Sequence, residues 1–241
     1  MTVSLSVVVP VKDEAENVTP LLREIAAAVT GEVGHEIIFV DDGSSDGTPG
    51  ILEALKAEVP ALRVLVHDRN IGQSRAIRTG VRAARGEIVV TMDGDGQNDP
   101  ADIPRLLASL REGRARGVGL VSGVRVNRKD NAWKKFQSGL ANRYRRWRLK
   151  DGARDVGCSL KAFPREVFLA LPYFDNMHRF LIALVRREGY DVRFVDVNHR
   201  PRRHGHSKYN GLGRFFVGIR DVAGVRWLTK RYRGPAAPRE L

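Results

Sequence analysis

The residues best suited to chemistry are two carboxylates one position apart, Asp93 and Asp95, which follow an apolar run and flank Gly94. Two carboxylates at this spacing can reach one hard cation, and Mg²⁺ or Mn²⁺ held in this way can also bind the oxygens of a substrate diphosphate. Gln97 can add a neutral oxygen ligand. Because Asp and Gly are also common in turns without a function, the pair needs support from the elements around it.

Polar clusters also follow the other strands that are predicted in the first hundred residues. Apolar runs predict strands over 5–11, 36–40, 63–67 and 87–92, and helical spacing predicts helices over 18–29, 49–58 and 74–85. The strands are followed by Asp13-Glu14, Asp41-Asp42, Asp68-Arg69-Asn70 and Asp93-Gly94-Asp95. This alternation is typical of an α/β fold with a mostly parallel, doubly wound sheet, in which ligands bind beyond the carboxyl ends of the strands. We therefore expect the four clusters to share one edge and to form the site.

The pattern after residue 100 is less regular. It predicts a helix over 104–112 and strands over 119–123 and 193–197. Two amphipathic helices are also predicted, the first with Trp133, Phe136, Leu140, Tyr144 and Trp147 on one face and the second with Leu212, Phe215, Phe216, Ile219, Val222 and Ala223. We expect one α/β domain over 1–210, and a basic amphipathic helix with a tail over 211–241.

The formal net charge of +13 is unevenly distributed. Residues 1–100 contain 9 Lys and Arg against 16 Asp and Glu, a net charge of −7, and residues 101–241 contain 32 against 12, a net charge of +20. This division predicts an anionic partner for the second part: nucleic acid, a phospholipid surface or a substrate with a polyphosphate. The basic cluster best suited to phosphate consists of Arg125, Lys134, Lys135, Arg202, His204, Ser207 and Lys208.

Composition narrows the class of protein further. Hydrophobic residues make up 42% and charged residues 29%, as in ordinary soluble proteins. The single cysteine, Cys158, cannot form an internal disulfide, no signal peptide is recognisable, and no stretch approaches the ~20 apolar residues that cross a bilayer. We therefore expect a cytoplasmic protein. His178, His199 and Cys158 show no catalytic spacing and are expected to be structural.

Several motifs, taken in order, resemble the family 2 glycosyltransferases with the GT-A fold. These are Val8-Val9-Pro10-Val11-Lys12-Asp13-Glu14, Val40-Asp41-Asp42-Gly43-Ser44-Ser45-Asp46-Gly47-Thr48, Arg69-Asn70-Ile71-Gly72 and Met92-Asp93-Gly94-Asp95-Gly96-Gln97. Within that family, Gln97-Asn98-Asp99-Pro100, Asp155-Val156-Gly157-Cys158-Ser159 and the segment from Arg202 to Tyr209 resemble the dolichol-phosphate mannosyltransferase branch. That branch includes bacterial enzymes that act on undecaprenyl phosphate.

The resemblance implies an inverting transfer of a sugar from GDP-mannose or a UDP-sugar to a polyprenyl phosphate at the cytoplasmic face of a membrane. It implies nucleotide binding by Pro10, Glu14, Asp42 and Asp93; binding of Mg²⁺ or Mn²⁺ by Asp93, Asp95 and Gln97; and binding of donor or acceptor phosphate by Arg125, Lys135, Arg202, Ser207 and Lys208. Asp95, Arg125 and Asp155 are the expected catalytic residues. A phosphate acceptor needs no strong base, whereas a hydroxyl acceptor would need one, and Asp155 is the candidate.

Alternatives remain open at this point. The same fold could transfer a sugar to a hydroxyl of a glycan or small molecule, or act as a nucleotidyltransferase. A nucleic-acid binder would use the basic part of the chain, although the acidic strand ends argue against it. The two amphipathic helices could lie on an anionic membrane surface, or their aromatic faces could belong to the core.

Overall fold

The structure is a computed structural model, and it describes residues 3–126, 144–202 and 211–234, with side chains of the last range described from Val217 onward. Some residues predicted to be functional lie outside the described residues. These are Lys134, Lys135, His204, Ser207 and Lys208, together with Trp133, Phe136 and Leu140 of the first amphipathic stretch and the side chains of Leu212, Phe215 and Phe216.

Strands and helices alternate through the first half of the chain, as the sequence predicts. The strands are β1 (Leu5–Val11), β2 (His35–Asp41), β3 (Leu62–Val66), β4 (Ile88–Thr91), β5 (Val118–Arg125), β6 (Lys161–Pro164) and β7 (Asp191–Val197). The helices are α1 (Ala15–Ala28), α2 (Thr48–Leu55), α3 (Gln73–Ala83), α4 (Ile103–Arg114), α5 (residues 144–149), α6 (Arg165–Ala170), α7 (Leu181–Arg187) and α8 (Gly211–Arg231). Two short 3₁₀-helices span Pro100–Asp102 and Met177–Phe180.

The strands of the described residues form one sheet in the order β3-β2-β1-β4-β6-β5-β7. Within this sheet β6 is antiparallel to its neighbours β4 and β5, and the other paired strands are parallel. The prediction of a mostly parallel sheet is therefore confirmed. The chain adds β2 and β3 on one side of β1 and β4 on the other, so the carboxyl ends of β1 and β4 form a switch point at which ligands can bind.

Both faces of the sheet are covered by helices, because its central strands are apolar on both sides. All seven residues of β1 are buried. On one face Val7 and Val9 contact a core that includes residues of α1, α2 and α4. On the other face Val8 belongs to a core with residues of α3, α6 and α7, and with Val222 and Val225 of α8. The predicted helical layers on both faces are therefore confirmed.

Three elements and the extent of a fourth were not predicted. Strand β6, Lys-Ala-Phe-Pro, lacks the apolar run that identifies the equally short β4. Helices α6 and α7 have six and seven residues, too few for a clear periodic pattern. Helix α8 is longer than predicted, and its amphipathic character is not confirmed. Val222 and Val225 are buried, whereas Val217 and Trp227 are exposed, so one helix contributes apolar side chains to the core and to the surface. No helix among the described residues is both long and apolar enough to cross a membrane.

A buried carboxylate at the start of β2 ties the parallel strands to the loop that follows α3. Glu36 accepts hydrogen bonds from the Ser6 hydroxyl of β1 and from the backbone N–H of Arg85, both at 2.6 Å, and forms an ion pair with Arg63 of β3. Burial by itself would raise the pKa of Glu36, but these three partners outweigh it and lower the pKa below its ordinary value.

We expect Glu36→Gln to lower the free energy of unfolding at pH 7 by about 2 kcal/mol, because hydrogen bonds to a charged group are lost. A lowered folded pKa contributes stability that is present at neutral pH and is lost as the pH falls through that pKa. Urea unfolding measured between pH 7 and pH 3 should therefore show that the free energy of unfolding falls less with decreasing pH in the variant than in the wild type. Glu53→Gln, which removes an exposed ion pair with Lys56, is the control, and an equal effect of both variants would contradict the prediction.

Candidate functional site

A cavity of about 430 Å³ lies at the switch point of the sheet. It is bounded by the carboxyl ends of β1 and β4, the first turn of α3 and the 3₁₀-helix Met177–Phe180. Its lining residues fall into three groups: Pro10, Val11, Lys12, Glu14, Asp42, Asn70 and Gly72 on the β1–β2 side; Asp93, Gly94, Asp95 and Arg202 at the floor; and Gln73, Ser74, Ala76, Asp175, Asn176, His178 and Arg179 on the wall formed by α3 and the segment 173–180. The volume is typical of a small-molecule site.

The turn after β4 brings Asp93 and Asp95 to the cavity floor because it can approach β1 closely. A Cβ atom at Gly94 would lie 2.4 Å from Cγ1 of Val11, a distance that requires glycine at this position. The backbone N–H of Asp93 donates to the Ser159 hydroxyl at 3.1 Å, which fixes the start of the turn. Both predicted metal-binding carboxylates therefore line the same cavity.

The charges at the floor are only partly compensated. Burial, together with the nearby carboxylate of Asp95, raises the pKa of Asp93 to about 6. Asp93 accepts a hydrogen bond from the Gln73 amide at 2.6 Å, and Asp95 forms an ion pair with Arg202 at 3.0 Å. A buried lysine, Lys161, lies close enough to stabilise the Asp93 carboxylate electrostatically.

These two carboxylates fit a divalent cation that also binds the substrate. No group of three or more His, Cys, Asp and Glu residues in the described ranges is arranged to hold a metal ion by itself. Mg²⁺, however, is commonly held by one or two carboxylates while phosphate oxygens and water complete its coordination. A cation at Asp93 and Asp95 would also relieve the repulsion that raises the pKa of Asp93. The donor set is therefore suited to a metal–diphosphate complex.

Residues that are distant in sequence meet on the β1–β2 side of the cavity. Arg202 lies within 3.5 Å of Glu14 as well as 3.0 Å from Asp95, so one guanidinium connects the ends of β1 and β4. Pro10, at the end of β1, lines the same side. The structure therefore brings together Pro10, Glu14, Asp93, Asp95 and Arg202 of the predicted set.

Asp42 also lines the cavity, but its carboxylate is engaged by the protein. It accepts hydrogen bonds from the backbone N–H groups of Ile71 and Gly72, at 3.1 and 2.8 Å, and lies 2.8 Å from Nδ1 of His67. These contacts hold the loop that leads into α3, where Gly72 adopts φ = 95°. Asp42 therefore shapes the cavity at its β2 side.

Gln97 is not among the lining residues of the cavity. Its backbone N–H donates to Asp95 at 3.1 Å, and its side-chain amide lies 3.5 Å from the carbonyl oxygen of Arg200. The carbonyl of Gln97 in turn accepts from the backbone N–H of Arg200. In this arrangement Gln97 joins the Asp95 turn to the segment that leads to Arg202.

Arg125 and Asp155 form a largely buried ion pair beside the cavity and are not among its lining residues. The guanidinium binds the carboxylate through two hydrogen bonds of 2.7 and 2.9 Å, and the backbone N–H of Arg125 adds a third at 3.2 Å. Burial opposes both charges, but the pair outweighs it, so the pKa of Asp155 is lowered and that of Arg125 is raised. A carboxylate held in this way is a weak proton acceptor.

Sequence reasoning missed the wall formed by the start of α3 and the segment 173–180. Ser74 is predicted only as the start of a helix, Gln73 belongs to no predicted element, and His178 is expected to be structural, whereas all three line the cavity. A polar pair at the start of α3, next to the Asn70-Ile71-Gly72 loop, was the available signal for Gln73 and Ser74. Nothing in the sequence brings His178 to Ser74 across 104 positions. Cys158 is buried, in line with its expected structural role.

Comparisons with known proteins agree with this architecture. The sequence model of the family described as "Glycosyl transferase family 2" matches residues 6–171. A similar solved structure is glucosyl-3-phosphoglycerate synthase from Mycobacterium tuberculosis in complex with Mn²⁺, UDP and glucosyl-3-phosphoglycerate. Its TM-score is 0.70 at 20% identity, over 97% of this chain and 81% of that chain. At that identity the likeness establishes the fold.

Two relatives have a higher sequence identity. Dodecaprenyl-phosphate galacturonate synthase of Rhizobium johnstonii is 38% identical over 237 residues, which are 95% of this chain and 68% of that protein. Undecaprenyl-phosphate 4-deoxy-4-formamido-L-arabinose transferase of Pseudomonas aeruginosa is 35% identical over 211 residues, 86% of this chain and 61% of that protein. The chain thus spans about two thirds of the length of these relatives. Together with the fold and the family model, these relatives show that the chain belongs to the family 2 glycosyltransferases.

We expect Asp155→Asn to lower the free energy of unfolding by about 3 kcal/mol, because it leaves the buried Arg125 guanidinium without its counter-charge. Urea unfolding followed by circular dichroism measures the change. Asp196→Asn, at an exposed position of β7, is the matched control and should have little effect. An Asp155→Asn variant as stable as the wild type would contradict a structural ion pair and favour a role in proton transfer.

Proposed function

We propose that this glycosyltransferase moves a sugar from a nucleotide sugar to a polyprenyl phosphate in a metal-dependent, inverting reaction. The observation that supports it most directly is the Asp93 and Asp95 pair at the floor of a cavity at the switch point of the sheet. The polyprenyl-phosphate sugar transferases among its relatives support the class of acceptor.

The donor would lie across the carboxyl ends of β1 and β4. We assign the nucleoside to the side formed by Pro10, Glu14 and Asp42, and the diphosphate to Asp93 and Asp95, which would hold Mg²⁺ or Mn²⁺. The cation would neutralise the charge that develops on the diphosphate as its bond to the sugar breaks. Arg202 already binds Asp95 and is placed to add a second positive charge at the same point.

A phosphate acceptor fits the groups around the cavity better than a hydroxyl acceptor. A phosphate monoester has a second pKa of about 6, so it is largely a dianion at pH 7 and needs no strong general base. Its oxygen would form the new bond to the anomeric carbon, and the nucleoside diphosphate would leave from the opposite face. Because Asp155 is engaged by Arg125 and its pKa is lowered, it is a poor general base for a hydroxyl acceptor.

The acceptor's lipid would require the protein to reach a membrane, and we propose peripheral binding at its cytoplasmic face. Trp147 of α5 and Trp227 of α8 are 64% and 59% exposed, although tryptophan is usually well covered. The two helices are joined by a hydrogen bond from the Arg226 guanidinium to the Arg148 carbonyl. Basic side chains near both rings, including Arg148 and Arg231, would attract anionic headgroups while the rings enter the interface.

The proposed reaction predicts that Asp95→Asn abolishes Mn²⁺-dependent donor binding and lowers sugar transfer by at least roughly a hundredfold, because one metal ligand and its charge are lost. Thermal shift with UDP-glucose, UDP-galacturonate and GDP-mannose, each with and without Mn²⁺, identifies the donor. Transfer of labelled sugar to undecaprenyl phosphate measures activity. Asp68→Asn, at an exposed strand end outside the cavity, should behave as the wild type. Transfer to free sugars but not to undecaprenyl phosphate would contradict the proposed acceptor.

The proposed membrane surface predicts that Trp147→Ser with Trp227→Ser reduces flotation with vesicles that contain phosphatidylglycerol, since the interfacial aromatic side chains are removed. Val33→Ser is the control, because Val33 is also exposed but lies just before the amino end of β2 and outside α5 and α8. Flotation that is unchanged in the double variant, or absent in the wild type, would count against this surface.

A further inference from the structure

One wall of the cavity is formed by the start of α3 and the segment 173–180. Met177 and Phe180 are buried in the core, and Asn176 adopts a left-handed conformation with φ = 65°. The backbone N–H of Arg179 donates to the carbonyl of Asn176 at 3.0 Å. With its two flanking apolar side chains anchored, the segment presents His178 and Arg179 to the cavity.

Helix α3 holds this segment through two independent contacts. The ring of Tyr173 lies 4.1 Å from the guanidinium carbon of Arg75 and 4.6 Å from that of Arg78. The Ser74 hydroxyl lies 2.7 Å from Nδ1 of His178 and 3.3 Å from its backbone N–H. The imidazole is therefore fixed in place before any ligand binds.

The Ser74 hydroxyl contacts His178 at two points. The backbone N–H of His178 donates to the Ser74 oxygen, and Nδ1 of the ring lies 2.7 Å from the same oxygen. A hydroxyl can donate one hydrogen bond and accept two, so it can satisfy both contacts and orient the ring.

The polar groups of the wall suit hydroxyl groups better than phosphate. His178 and Arg179 can donate hydrogen bonds, whereas the Asp175 carboxylate can only accept them and would repel an anion. Sugar hydroxyls both donate and accept, so they can satisfy such a mixed set. The wall also adjoins the metal turn, because Gln73, the residue before Ser74, binds the Asp93 carboxylate. A group attached to a diphosphate at Asp93 and Asp95 would therefore meet this wall.

We infer that the wall formed by Asp175, His178 and Arg179 is the subsite for the transferred sugar, and that the imidazole of His178 orients the sugar through a hydrogen bond with one of its hydroxyls. This inference rests on the proposed function, since it requires a nucleotide-sugar donor. Ser74 is a positioning residue that acts through His178.

The test separates contacts with the sugar from contacts with the nucleotide. Isothermal titration calorimetry in the presence of Mn²⁺ compares the affinity for UDP with that for UDP-glucose and UDP-galacturonate, and the affinity for GDP with that for GDP-mannose. For the nucleotide sugar that the wild type binds, His178→Ala should weaken affinity by roughly three- to tenfold, the loss expected for one hydrogen bond. The affinity of His178→Ala for the matching nucleoside diphosphate should stay within about twofold of the wild-type affinity. Ser74→Ala should give a smaller loss of the same kind, and His178→Gln, which keeps a donor, should recover part of the affinity.

His35→Gln is the control, since His35 lies at the other end of the sheet and outside the cavity. Equal losses for the nucleotide sugar and the nucleoside diphosphate would overturn the subsite, because they would mean that His178 only supports the fold. Wild-type affinity of His178→Ala for the nucleotide sugar would overturn it as well. If the wild type binds none of these nucleotides, the proposed function fails and the subsite with it.

Discussion

Two carboxylates that repel each other at the end of a buried strand constrain much of this structure. Asp93 and Asp95 stand where β4 leaves the sheet, and burial with mutual repulsion raises the pKa of Asp93 to about 6. The fold surrounds this turn with compensating groups, namely the Gln73 amide, the Arg202 guanidinium and the buried Lys161. The remaining repulsion is what makes the turn receptive to a cation, since a metal ion would stabilise both carboxylates at once.

The single reversed strand of the described sheet, β6, brings further groups to this turn. Because β6 is antiparallel, its beginning lies at the edge where β4 and β5 end, and Lys161 pairs with both Thr91 and Ser122. Ser159, just before β6, binds the backbone of Asp93. A parallel strand in this place would put its last residues at the site instead. Burial lowers the pKa of Lys161, while the adjacent Asp93 and Asp155 carboxylates oppose that shift, so the charges beneath the turn depend on one another.

The sequence predicted the part of the site that follows the apolar strands β1 and β4. Asp93 and Asp95 were found because β1 and β4 are apolar runs that end in turns, a local pattern that the sheet preserves. The Arg125–Asp155 pair was predicted as two separate functional residues, because spacing along the chain cannot show that two charges 30 positions apart bind each other. His178 was missed for a related reason, since its place in the wall depends on Ser74 of another helix. Lys161 lies in β6, whose sequence Lys-Ala-Phe-Pro lacks the apolar run that identifies the equally short β4.

The proposed membrane surface and the cavity are connected through α8. Asp221 of that helix accepts a hydrogen bond from the side chain of Asn176, which lines the cavity, and burial raises the pKa of Asp221. Val222 and Val225 fix α8 against the core, while Trp227, two residues further, is exposed. An acceptor whose phosphate must reach the cavity while its lipid stays in the membrane requires these two places to be close. Helix α8 would meet this requirement, because Asp221 contacts the cavity-lining Asn176 and Trp227 belongs to the proposed surface.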